Sequence, residues 1–141
     1  MTKPLERRIS SRMADWLLYN IVVIREIAEN IEPGITANLK VTWARTSNQE
    51  SKTEIFAIKK AAVTAVYDTL ERSIKVMHPE HRAIYRMRYR AGLTYKDIKN
   101  RLHVSEKTVE RRLADIRDHV SGYLEVLSDD TITEFRRILG E

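Results

Sequence analysis

The chain has 141 residues, 43% of them hydrophobic and 32% charged, with a formal net charge of +5. That is the length of one domain, or of a small domain with an appendage, and it is apolar enough to bury a core. Cysteine is absent, which excludes disulfides, thiolate metal sites and cysteine nucleophiles.

The first predicted element is a helix over residues 5–31. Ile9, Met13, Trp16, Leu17, Ile24, Ile27, Ala28 and Ile31 recur at helical spacing, and EPG at residues 32–34 ends the run. Its most apolar part, WLLYNIVVI, falls well short of the roughly 20 residues that cross a bilayer. No apolar stretch with a small-residue cleavage site marks a signal peptide, so a soluble, cytoplasmic protein is expected, with no membrane partner. Residues 35–49 read as a loop, with a short extended piece at LKVTW. SKTE at residues 51–54 has the pattern of a capping box, and the apolar series from Ile55 to Met77 predicts a second long helix behind it.

Pro79 suits the first turn of a third helix, which runs to Ala91 and stops at Gly92. Thr94, with Asp97 three residues later, caps a short helix carrying Tyr95, Ile98 and Leu102 on one face. His103 and Val104 form a turn, and Ser105 caps a helix continuing through Val109, Leu113, Ile116, Val120, Leu124 and Leu127. SDD at residues 128–130 opens a last helix. The expected fold is all-α: two long helices plus a C-terminal helix-turn-helix whose second helix is extended. The expected division is an N-terminal helix and loop over 1–50, a connecting helix over 51–78, a DNA-binding domain over 79–127 and a C-terminal helix over 128–141.

Helices as short as residues 94–102 do not persist alone in water. A helix-turn-helix solves this by packing two helices on each other and on a third, here residues 79–91 with Ile84 and Met87. With Val109 at the centre of the buried face, Lys107, Arg111 and Ala114 fall opposite it, flanked by Thr108 and Glu110. That is the face a recognition helix lays into the major groove. Lys107 sits in the first turn, where the helix dipole disfavours a cation, and it forms a like-charge i, i+4 pair with Arg111. The charge follows the same segment: residues 81–119 carry eleven Lys/Arg against five Asp/Glu, whereas residues 120–141 carry two against five. A local basic excess of this kind is the footprint of a polyanion. The expected DNA-binding residues are Thr94, Tyr95, Lys96, Arg101, Ser105, Glu106, Lys107, Thr108, Glu110, Arg111 and Arg112, with Arg111 and Lys107 reading bases and Arg101 and Arg112 at the phosphate flanks.

The stretch AIYRMRYRAGLTYKDIKNRLHVSEKTVERRL resembles region 4 of sigma factors, the helix-turn-helix that reads the −35 promoter element; RYRAGLTYKDI and HVSEKTVERRL carry the likeness. No region 2 is recognisable. Residues 46–141, with SNQESKTE, a long helix and the region-4-like unit, are similar to the RinA/ArpU group of phage late transcriptional regulators. The resemblance implies an activator of phage packaging and morphogenesis genes that acts with host RNA polymerase in the bacterial cytoplasm. The alternatives are a small terminase-like packaging protein, whose helix-turn-helix usually lies at the N-terminus, and a stand-alone sigma-like factor. Many such units place Gly at the start of the turn and a small residue four positions earlier. Here those positions hold His103 and Lys99.

The histidines are too scattered for a zinc site, with His78 and His81 close but His103 and His119 distant, so neither a metal nor another cofactor is expected. Ser10 and Ser11 stand without the sheet domain of a serine recombinase, and no enzyme is expected. Trp16 and Trp43 read as core or interface anchors. The series Val109, Leu113, Ile116, Val120, Leu127 fits an internal core or a dimer seam, and its length favours a homo-oligomer, dimer or higher.

Overall fold

The computed structural model describes residues 8–30 and 49–140, and within them the chain is all-helical, with no strand. The helices are α1 (Ser11–Tyr19), α2 (Ile21–Asn30), α3 (Gln49–Lys75), α4 (Pro79–Tyr85), α5 (Tyr95–Leu102), α6 (Glu106–Tyr123) and α7 (Asp129–Ile138). A π-helical turn, Arg86–Arg90, extends α4, and a 3-10 turn, Leu124–Val126, follows α6. The EPG stop, the LKVTW piece and Trp43 lie outside the described residues.

The single N-terminal helix expected over residues 5–31 is instead two. Ser10 starts α1 by accepting from the Met13 amide at 3.1 Å. Asn20 ends it: its backbone N–H reaches Leu17 and Trp16, and its Nδ2 donates to the Trp16 carbonyl at 2.8 Å. A side-chain amide that competes for backbone carbonyls interrupts a helix that apolar periodicity alone would continue. At the next helix the SKTE pattern misplaces the start. α3 begins at Gln49, so Ser51 lies inside the helix and not at its cap.

The chain forms two compact units, each discontinuous in sequence. One contains residues 8–20 and Leu70–Glu125; the other contains the described parts of Ile21–Thr69 and Val126–Glu141. In the second unit Ile21, Ile24, Ala62, Val63, Val66, Ile132, Phe135 and Ile138 are buried. A buried Lys59 is neutralised there by Glu134 at 3.1 Å. Ser128 caps α7 by accepting from the Thr131 amide at 3.1 Å, so the helix opens within the SDD stretch.

In the first unit α6 is the central element, packed by α1, α4 and α5. The first half of the expected N-terminal helix therefore lies on α6 and the π-helical turn. Its Leu17 and Leu18 join Ile84, Ile98, Val109, Leu113, Ile116, Val120 and Leu124 among the most buried side chains. Since Val109, Leu113, Ile116 and Val120 are spent inside the chain, the dimer-seam reading of that series does not hold. Trp16 is 41% exposed, so of the two anchor readings it is not a core residue.

Polar contacts close this unit where its segments meet. Arg82 Nη2 donates to the Lys75 and Met77 carbonyls, each at 3.0 Å, which satisfies acceptors left open at the end of α3. His119 Nε2 meets the Ser73 carbonyl at 2.7 Å. Ser121 donates to the Ile9 carbonyl, and Arg8 donates to the Glu125 carboxylate from its amide (2.9 Å) and Nε (3.1 Å). Burial pushes the Glu125 pKa up, but the Arg8 hydrogen bonds and charge outweigh it and hold the group below its ordinary value of 4.5. A depressed folded pKa gives stabilisation that is complete above the ordinary value and fades as pH falls through the folded one. Glu125→Gln is therefore expected to lower the melting temperature at neutral pH, with the difference from wild type shrinking below pH 4.5; melts across that range measure it.

Candidate nucleic-acid interface

α5 is a short helix fixed at both ends. Thr94 and Asp97 form a reciprocal capping box, Asp97 N to Thr94 Oγ1 at 3.1 Å and Thr94 N to Asp97 Oδ2 at 3.3 Å. At the other end His103 adopts the left-handed conformation (φ 57°, ψ 44°), so the turn forms with histidine at the position glycine usually fills. Val104 N donates back to Lys99 O at 3.2 Å. Ser105 then caps α6, accepting from Thr108 N at 3.1 Å. A left-handed non-glycine residue costs roughly 1–2 kcal/mol, offset in part by the entropy glycine would lose. His103→Gly is accordingly expected to stabilise the protein by about 0.5–1 kcal/mol, read by denaturant titration.

The four buried apolar residues of α6, Val109, Leu113, Ile116 and Val120, fix its orientation, and Lys107, Glu110, Arg111 and Ala114 are exposed on the other side. Lys96, Arg101, Lys107 and Arg111 make no ion pair with any described residue. The basic stretch is short. Beyond Ala114 the exposed residues are Asp115 and Asp118, which would repel a phosphate backbone. Although α6 has 18 residues, a length of about 27 Å, only its first two turns offer a cationic surface.

The predicted residues divide by what already holds them. Lys96, Arg101, Glu106, Lys107, Glu110 and Arg111 are exposed. Thr94, Ser105 and Thr108 have their hydroxyls engaged in the caps, Ser105 Oγ lying 2.8 Å from Thr108 Oγ1. Tyr95 is half-buried, with the Arg88 guanidinium 4.7 Å from its ring centroid. Arg112 is also half-buried and forms an ion pair with Glu80 of α4, so it is not a free flanking cation.

Sequence reasoning missed the supports behind this surface. The helix ending at Ala91 was legible, but its last turn is π-helical. Within that turn Arg88 donates to Leu93 O at 3.0 Å as well as covering Tyr95, fastening the entry to α5. Tyr89 donates to Asp15 Oδ1 at 2.6 Å, and Arg117 Nη1 lies 3.9 Å from the same oxygen, joining α1, the π turn and α6. Burial, then the Asp15 hydrogen bond, pushes the Tyr89 phenol far above its ordinary range, so it stays a donor at any working pH. Asp15 lies more than 70 residues from Tyr89, and no local pattern announces the pairing.

Among the described residues no group of three or more His, Cys, Asp and Glu could hold a metal ion, and no helix is long and apolar enough to cross a membrane. The sequence pattern of a family described as a protein of unknown function (DUF722) matches residues 2–122. No curated protein and no solved structure matches the chain.

Proposed function

The chain belongs to the DUF722 family, and for it we propose sequence-specific binding of duplex DNA, with α5 and α6 acting as a helix-turn-helix and α6 as the recognition helix. The observation that carries this reading is the pair Lys107 and Arg111. Both are exposed cations without an ion pair to any described residue, on the first two turns of a helix whose opposite face is fully buried. A like-charge pair in that position costs stability, and a polyanion in contact with it reverses the cost. Arg111 suits a bidentate pair to guanine O6 and N7. Lys96 and Arg101 contact backbone phosphates, which position the helix without reading sequence. Glu110 on the same face suits a cytosine amino group.

The likeness of residues 83–113 to sigma region 4, and of residues 46–141 to the RinA/ArpU regulators, supports a transcription activator of phage late genes that works with host RNA polymerase. The unpaired cations favour DNA as the primary partner under any of these roles.

The experiment is selection of bound duplexes from a random pool, followed by titration of the winner at several salt concentrations. One duplex sequence is expected to emerge. Its log affinity should fall linearly with log salt at about 0.9 per phosphate contacted, roughly 2 to 4 in total for the four free cations. An affinity that stays flat with salt, or a pool that never enriches, overturns the proposal.

A further inference from the structure

A second set of arginines lies on the first unit, apart from α5 and α6. The π-helical turn carries Arg86, Arg88 and Arg90. Arg88 points to α5, where it holds Leu93 and Tyr95. Residues two apart on a helix do not share a face, so Arg86 and Arg90 lie on the side away from α5. There, with Tyr85 and Ala91, they line an open cleft of about 600 Å³. Both are exposed and neither forms an ion pair with a described carboxylate; Arg90 hydrogen-bonds the Tyr85 side chain that lines the cleft with it.

Beside the cleft, two buried rings, Tyr85 and Tyr89, join the π turn to α1. Tyr85 stacks on Tyr89 at 5.8 Å between centroids, and Tyr89 meets Tyr19 of α1 at 4.5 Å. Tyr19 shares one exposed stripe of α1 with Trp16 and Arg12 at spacings of three and four residues. Trp16 is 41% and Tyr19 45% exposed. Trp, Tyr and Arg are the residues that dominate binding at protein interfaces; here they are exposed on α1 and on the π turn it packs against, and Arg12, Arg86 and Arg90 form no ion pair with a described residue.

We propose that Arg86, Arg90 and the Trp16–Tyr19 stripe of α1 form a docking surface for an acidic protein segment that also carries a large apolar side chain. The arginines take its carboxylates, for which a planar guanidinium is geometrically suited. The exposed rings take its apolar anchor. Duplex DNA fits this surface less well, because its phosphates give Trp16 nothing apolar to cover and because Arg88 marks the opposite side of the turn as the one facing α5. The inference goes beyond DNA binding and does not require it.

The test uses the full chain and a fluorescent amphipathic peptide built from Asp, Glu, Leu and Phe, beside a counterpart with Lys in place of the acids. Anisotropy is read with the chain alone and with the chain saturated by its selected duplex. The acidic peptide is expected to bind and the basic one not to bind. Arg86→Glu with Arg90→Glu should weaken the peptide by about tenfold or more with the melting temperature unchanged, and Trp16→Ala should weaken it several-fold at a temperature where melts show that variant folded. Both variants should keep their duplex affinity, and duplex should leave peptide affinity unaltered. Absence of peptide binding overturns the proposal, as does binding that ignores all three substitutions. Displacement of the peptide by duplex, or loss of duplex affinity in the arginine variant, would assign the arginines to DNA phosphates instead. A chain that binds the peptide but no duplex fails the DNA reading and leaves this one standing.

Discussion

Arg111→Ala is expected to lower affinity for the selected duplex by about 1–3 kcal/mol, a factor of roughly 5 to 150, while affinity for a scrambled duplex changes far less. Arg111 is exposed and makes no ion pair with a described residue, so its removal should shift stability by no more than about 0.5 kcal/mol. Arg101→Ala, which removes another unpaired cation, should weaken both duplexes by the same factor, because phosphates carry no sequence. The sequence alone groups Arg112 with Arg101. The ion pair with Glu80 separates them: Arg112→Ala should also lower the melting temperature slightly, since exposed pairs contribute up to about 1 kcal/mol. Titrations on both duplexes, beside thermal melts, check the set. If Arg111→Ala loses both affinities in proportion, Arg111 holds a phosphate and another residue reads the bases.

Ile116→Ala should have the largest effect on stability. The side chain is fully buried on α6, the helix that α1, α4 and α5 all pack against. Truncating a buried isoleucine costs about 2–5 kcal/mol, because the cavity left behind closes only in part. Small domains have total stabilities near the lower end of about 5–15 kcal/mol, so this one change should leave the first unit marginal at ambient temperature. DNA affinity should then fall on every duplex alike, in proportion to the fraction unfolded, without any change in preference. Ile116→Val, which loses one methyl group, should cost about 0.5–1.5 kcal/mol and keep binding. Denaturant titration of both variants measures this. A truncation costing under about 1 kcal/mol would mean that the core around α6 can collapse to fill the space.

The two experiments probe different links. Arg111 reports the exposed face of α6 and leaves the fold alone, whereas Ile116 reports the core that aims that face. A residue that mattered to both would show up as a coupled loss of stability and affinity, and Arg112 is the nearest to that description.

The amino-acid sequence alone determined the helical class, because apolar residues recur at three and four along nearly every segment. It determined the caps at Thr94, Ser105 and Ser128, since each needs only a side-chain oxygen and an amide two or three residues on. It also determined which side of α6 is buried, because Val109, Leu113, Ile116 and Val120 follow helical spacing. All of these are short-range properties. The break at Asn20 was also local, but a nine-residue apolar pattern masked it. The tertiary structure alone decided that α1 packs with residues 70–125, that Tyr89 finds Asp15, that Arg8 finds Glu125 and that Glu80 takes Arg112. It also decided that Trp16 stays exposed while its neighbours Leu17 and Leu18 are buried. These partners lie from about thirty to over one hundred residues apart in the chain. Periodicity fixes the direction of a side chain on its own helix, but only the packing of helices against one another fixes what that side chain meets.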